Sequence, residues 1–452
     1  MMSDADGAGL GRNHAAMLIN GHEVLPALLA DLRAAEREIH VSVFLFFRDP
    51  VGLEVAAVLC DQAARGVAVR VLLNQAKTAM GDPFSTGEKE MIDQDPNVDY
   101  DPTDVRPLCE RLTTSGVQVY DTNIDYDAER PHVDERLRSV AAQIRGAISV
   151  DDLHIDHRKI IVIDRRVAYT GGANIGAQYL NHAPFDPAVD ARIEAEAWKL
   201  QGSREPWWKW HDSLTRFEGP VVDDINRHFR DRWILDGGPA FALDPWPAIA
   251  SAPAGPRGIE VASATVVHSA PTGEPNAMRD LYLGLIASAE RSIFIENPYC
   301  YHPALADALV GAKAARPSLD VTLVLPALEW NDNAFAHDAQ QYFYARYLAA
   351  GIDVYEYQNH FTHLKVAVFD ERWSVHGSTN LNFRSFEGDK DFELVVLVDG
   401  PELARDVLAR VRDVDVPHSR RFTLDDVDGS VDGLRVQHRD PRTLLLVSRR
   451  VL

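Results

Sequence analysis

Two histidines, His157 and His363, each have a lysine two residues on, Lys159 and Lys365, and these four side chains carry the clearest chemistry in the sequence. The likeness extends downstream. Asp164 and Asp370 stand at one shared offset from their histidines, Gly171 and Gly377 at a second, Asn174 and Asn380 at a third. A lone His-x-Lys means little, but five matched positions at matched offsets in one chain mark an internal repeat. The copies read HRKIIVID and HLKVAVFD, so each motif opens an apolar strand. Side chains alternate along a strand, which puts each histidine on the same face as its lysine.

An imidazole and an ammonium make a poor core surface and suit the lining of a cleft. If the copies pack about a pseudo-twofold axis, two histidines, two lysines and two asparagines converge on one site. Lys159, Lys365, Asn174, Asn380 and Ser378 then meet the non-bridging oxygens of a phosphodiester. One neutral imidazole attacks phosphorus in line, and the other, protonated, donates to the leaving alkoxide. The expected intermediate is a phosphohistidine, cleared by water or by another alcohol. The lysines supply the positive charge, so no metal and no cofactor is expected.

A nucleophilic imidazole needs its second nitrogen oriented, usually by a carboxylate. WHDSLTRFEGP (210–220) aligns with DFELVVLVDGP (391–401), and Asp212 and Glu393 occupy equivalent places before the shared Gly-Pro. The alignment assigns Asp212 to His157 and Glu393 to His363; the competing reading is a pair of solvated strand-end carboxylates. Asp164 and Asp370 complete the motif, but at strand ends they read as turn or salt-bridge residues rather than acid–base groups.

The elements that must position these residues repeat as well. Ile39 to Phe47, a helix to Arg65 closed by Gly66, and VAVRVLL (67–73) have a βαβ rhythm, replayed by Ile293 to Ile295, Pro303 to Ala314 and VTLVLP (321–326). The fold expected is α/β, with two homologous domains, each a mixed and mostly parallel sheet flanked by helices, packed with pseudo-twofold symmetry. The domains are placed at 15–235 and 259–415, with a Pro/Gly/Ala-rich linker at 236–258 and a C-terminal extension at 416–452. The first copy alone carries an insertion at 121–153, with a helix expected over 133–148; it reads either as a substrate wall or as decoration. The acidic stretch 81–104 reads as a solvated loop.

Bulk composition narrows the function. The net charge of −22 gives no global field for nucleic acid or an anionic membrane, so contact with either must rest on a local basic pocket. Cys60, Cys109 and Cys300 lack metal-ligand spacing and read as free thiols of a reducing compartment. No secretory signal and no run of about 20 apolar residues stands out, which points to a cytoplasmic protein, soluble or peripheral on the membrane. Trp207, Trp208 and Trp210 read as core or as a lipid-facing patch, and PRTLLLVSRRVL (441–452) as a final element or a membrane contact. His22, His228 and His418 show no clustering.

The paired patterns resemble the phospholipase D superfamily over about 15–415. YTGGANIGAQYL (169–180), ENPY (296–299), WHDSLTRFEGP and GSTNLNFRSF (377–386) look like its bacterial cardiolipin synthase branch. The resemblance implies phosphatidyl transfer from one phospholipid to the hydroxyl of phosphatidylglycerol or a related acceptor, at a membrane surface. It also implies that His157 is the nucleophile and His363 the acid that later serves as base. Asn382 and EGDKDFE (387–393) depart from the branch pattern, as does the lack of N-terminal transmembrane helices. The alternatives are a hydrolytic phospholipase D and a nuclease or other phosphodiesterase, the last disfavoured by the charge.

Overall fold

The computed structural model describes residues 12–74, 105–122, 155–180, 210–242, 255–270, 276–331, 334–387 and 391–427. The expected helix at 133–148, the acidic stretch 81–104, Trp207, Trp208 and the C-terminal PRTLLLVSRRVL lie outside the described residues.

The first half supplies β1 (His14–Ile19), α1 (Asn20–Arg33), β2 (Glu38–Val43), α2 (Pro50–Ala64), β3 (Ala68–Leu73), α3 (Arg106–Thr114), β4 (Gln118–Asp121), β5 (Ile155–Asp156), β6 (Ile160–Ile163), β7 (Val167–Gly171), β8 (Trp210–His211), β9 (Ser213–Glu218) and α4 (Val221–Leu235). After β10 (Ile259–Glu260), the second half supplies β11 (Ser263–Ser269), α5 (Ala277–Ser288), β12 (Ser292–Glu296), α6 (Pro303–Ala315), β13 (Asp320–Pro326), β14 (Asp353–Tyr357), β15 (Phe361–Thr362), β16 (Val366–Phe369), β17 (Trp373–Gly377), β18 (Asp391–Asp399) and β19 (Ser419–Arg421).

One sheet runs β10-β1-β9-β7-β6-β2-β3-β4 and the other β11-β18-β17-β16-β12-β13-β14-β19, so the halves repeat one strand order between their edge strands. Only β2 with β3, β3 with β4, β12 with β13 and β13 with β14 pair in parallel along these paths. The expectation of mostly parallel sheets is therefore corrected: the sheets are mixed and mostly antiparallel. The physical reason is loop length. A parallel return needs a crossover of a dozen or more residues, whereas three residues separate β6 from β7 and β16 from β17. The first turn takes φ of 51° and 50° at Asp164 and Arg165, the second 54° and 53° at Asp370 and Glu371, the paired left-handed geometry of a tight hairpin.

These hairpins place the core. Ile161 and Ile163 of β6 face a cluster under α1 and α2, whereas Ile160 and Val162 face the other half. In β16, Ala367 and Phe369 point to the second half's own core, and Val366 and Val368 meet Ile160 and Val162 in a shared cluster with Phe217, Phe229 and Val396. Two sheets thus pack through an apolar layer, and each motif strand has one face committed to the seam. At the edges, β10 joins the first sheet and β19 the second. Cys60, Cys109 and Cys300 are free thiols, with Cys109 only part-buried. Among the described residues no helix is long and apolar enough to cross a membrane.

Candidate active site

Ahead of each His-x-Lys, a two-residue strand pairs in parallel with a strand of the opposite half, β5 with β18 and β15 with β8. The N–H of His157 then donates to the carbonyl of Phe392 at 3.1 Å, and that of His363 to His211 at 2.7 Å. Phe392 and His211 immediately precede Glu393 and Asp212, so each histidine lies beside the carboxylate of the other half. His157 Nδ1 is 3.1 and 3.3 Å from the Glu393 oxygens, and His363 Nδ1 is 2.6 Å from Asp212 Oδ2. This reverses the pairing expected from alignment: Glu393 backs His157, and Asp212 backs His363. Superposing one half on the other finds equivalent residues but carries no information about exchange between halves.

The motif residues precede their strands, which begin at Ile160 and Val366. Lys159 Nζ donates to the His157 carbonyl at 2.7 Å. Lys365 Nζ donates to the His363 carbonyl at 3.0 Å and also lies 3.0 and 3.1 Å from its ring nitrogens. Burial pushes both imidazoles well below the usual histidine range, and Lys159 and Lys365 act in the same direction on each. Both rings are therefore neutral at neutral pH. Burial also lowers the Lys159 ammonium to about 8, against the pull of Glu393 and Asp212. The same desolvation raises Asp212 and Glu393 to about 7 each. A neutral imidazole donating Nδ1–H to a carboxylate presents the Nε2 lone pair, which is the form that can attack an electrophile or take up a proton.

The two carboxylates are held differently. Glu393 accepts from the hydroxyls of Ser378 and, at 2.7 Å, Ser385. Asp212 accepts from the backbone N–H of Ser213 at 2.7 Å. Position 172, the counterpart of Ser378, is glycine because Asp212 fills the space: a Cβ there would sit 2.2 Å from Asp212 Oδ1 and 2.9 Å from the His363 carbonyl. Ser378, expected on phosphate, is instead fully buried against Glu393.

The remaining motif residues divide. Asn174 Oδ1 accepts from Leu45 N–H at 3.0 Å, tying its loop to the end of β2, whereas Asn380 Oδ1 is buried with no hydrogen-bond partner among the described residues. Asp164 accepts the N–H groups of Glu36, Arg37 and Glu38, and Asp370 those of Glu290, Arg291 and Ser292. Both aspartates stand at hairpin turns and stitch them to the start of the neighbouring strand.

Some site residues escape the repeat. Phe44 packs edge-on against His157, with centroids 5.6 Å apart, and Trp210 lies 4.7 Å from His363 among Tyr179 and Phe361. Trp210 is thus core and site wall together. Asn297 of ENPY donates to the Thr379 carbonyl and accepts from Leu381, fixing the loop that bears Asn380. His228, read as showing no clustering, lies against His268, with ring centroids 4.2 Å apart and the planes tilted by 45°.

Comparison with known proteins bears on this arrangement. Cardiolipin synthase 1 of Bacillus anthracis is 22% identical over 420 residues, 91% of this chain and 68% of that protein. Cardiolipin synthase of Geobacillus kaustophilus (strain HTA426) is 26% identical over 375 residues, 82% of this chain but 60% of that protein, so the chain spans only part of its length. Among solved structures, the phosphatidylserine synthase of Haemophilus influenzae Rd KW20 shares the fold, with a TM-score of 0.62 at 13% identity, covering 97% of this chain and 95% of that one. The sequence model of the family described as "Cardiolipin synthase, PLD-like domain" matches residues 28–184 and 282–413, most of both halves. On that match the chain belongs to the phospholipase D superfamily, as a protein of two PLD-like domains.

Proposed function

We propose that this chain is a phosphatidyltransferase of cardiolipin synthase type, acting on phospholipid phosphodiesters at a membrane surface. The observation that carries the reading is the crossed site: two neutral imidazoles, each backed by a buried carboxylate of the other half, between two buried ammonium groups.

His157 is the nucleophile in this reading. Its side chain is 12% exposed against 6% for His363, so it is the imidazole with more room to reach phosphorus. Its Nε2 lone pair forms the P–N bond while the P–O bond to the departing head-group alcohol breaks. For this step Asp212, raised to about 7, carries the acid proton and His363 the hydrogen on Nε2; His363 gives that hydrogen to the alkoxide as Asp212 passes its own to Nδ1, which leaves the ring neutral and Asp212 ionised. Lys159, Lys365 and the Asn174 and Asn380 amides hold the non-bridging oxygens, where charge builds up. His363 then takes the proton from the hydroxyl of an acceptor phosphatidylglycerol, whose oxygen displaces the histidine from phosphorus.

The experiment is lipid mass analysis after incubation with phosphatidylglycerol vesicles. A new four-chain lipid with release of glycerol is the expected result. Phosphatidic acid as the sole product would make the chain a hydrolytic phospholipase D instead.

A further inference from the structure

We propose that His211, Glu296 and Asp415 bind a divalent transition-metal ion at the seam between the halves, directly behind His363. One donor atom from each lies within 4.8 Å of the other two, and all three side chains are buried. They come from separate segments: His211 from β8, Glu296 from the end of β12, and Asp415 from the helical stretch after β18.

The hydrogen bonds around His211 fix its tautomer. Nδ1 lies 2.9 Å from Asn20 Oδ1, and that oxygen is identified as the acceptor because the N–H of Asp212 also donates to it at 3.2 Å. Nδ1 therefore carries a hydrogen, and Nε2, the ring nitrogen left to ligate, lies 3.1 Å from Asp415 Oδ2. A metal ion between Nε2 and Oδ2 would take the place of the proton in that contact. Metal-binding histidines are commonly held this way, with the distal N–H on an outer acceptor.

The carboxylates point to the same occupant. Glu296 and Asp415 face one another. Thr362 donates to Glu296 Oε1, but Glu296 Oε2 and Asp415 Oδ1 are buried with no hydrogen-bond donor among the described residues. No lysine or arginine among the described residues pairs with either. Buried carboxylate oxygens without a donor are costly unless a proton or a cation is shared between them. One imidazole and two carboxylates suit zinc or manganese. The 3.1 Å gap between Nε2 and Oδ2 matches neighbouring ligands about 2.0–2.2 Å from one ion.

Such an ion would clamp β8 of the first half to β12 and residue 415 of the second. The carbonyl of His211 receives the His363 N–H, and the next residue is Asp212. The role is structural, and the chemistry proposed for the phosphodiester does not pass through it.

The test uses the full chain, expressed with added Zn2+ and Mn2+, desalted, and assayed for metal by mass spectrometry. About one equivalent per chain is expected, and chelator-stripped protein should take up Zn2+ or Mn2+ at a single calorimetric site with a rise in Tm. Glu296→Gln and Asp415→Asn should lose the metal, and Asn20→Gly should weaken binding about 10- to 100-fold. If either carboxylate variant fails to fold, the stripped wild type decides alone. A wild type that neither carries nor takes up either ion overturns the proposal, and the carboxylates then share a proton. Uptake unchanged in folded Glu296→Gln and Asp415→Asn overturns it too, by placing the ion elsewhere.

Discussion

His157 and His363 have matching partners in different settings, and the settings make their roles separable. Glu393 is held by two serine hydroxyls, Asp212 by one backbone N–H, and the His363 ring is enclosed by Trp210, Tyr179 and Phe361. His157→Ala should therefore abolish labelled phosphoenzyme, whereas His363→Ala should still form it from a substrate with an activated leaving group. Loss of label only in His363→Ala would reverse the assignment. The pH profile follows from the same groups. Below about 7, Glu393 takes up a proton and no longer accepts Nδ1–H from His157, so activity falls. Above about 7 Asp212 loses the proton that His363 relays, and above about 8 Lys159 loses its proton and a phosphate-facing charge, so activity falls again. A narrow bell in kcat/KM is expected, with Lys159→Arg making only the part of the alkaline limb above about 8 shallower, because guanidinium does not titrate there. Lys159→Ala should cost about 10²- to 10³-fold in kcat.

The hairpins show how far an element can be read from its residues. Apolar alternation in HRKIIVID and HLKVAVFD marks both motif strands, and the βαβ rhythm correctly gives the parallel pairs β2 with β3 and β12 with β13. What that rhythm hides is the return of β7 and β17 as antiparallel partners, because their turns read DRR and DER with no glycine or asparagine to announce left-handed backbone. Asp164 and Asp370 carry those turns at positive φ and in exchange collect three backbone N–H groups each. Asp164 is buried and Asp370 only part-buried. Asp164→Ala should therefore lower unfolding free energy by at least about 2 kcal/mol, since hydrogen bonds to a charged acceptor contribute about 1.5–3 each. Asp370→Ala should cost less, being partly solvated. Urea unfolding measures both, and the pH profile of the remaining activity should be unchanged, as neither carboxylate touches a histidine.

At the scale of the whole molecule, the site is legible as a set of residues and illegible as a set of contacts. Internal repetition exposes His157, Lys159, His363 and Lys365, and the shared Gly-Pro exposes Asp212 and Glu393. Their pairing depends on β5 and β15 crossing to β18 and β8, a property of packed halves that one half's pattern does not record. His211 and Glu296 are hidden for the same reason, since their partners lie across the seam. Double-mutant cycles on unfolding free energy can read the crossing directly. His157→Ala combined with Glu393→Gln, and His363→Ala with Asp212→Asn, should depart from additivity by about 0.5–3 kcal/mol, because each pair shares a hydrogen bond in a buried setting. His157→Ala with Asp212→Asn should couple less strongly than either crossed pair, because no hydrogen bond joins them and only the charges of Lys159 and Lys365 are shared. Coupling in the uncrossed pair with none in the crossed ones would show two self-contained half-sites. Coupling in the crossed pairs makes each half supply the base of the other, so that neither carries a complete histidine–carboxylate pair alone.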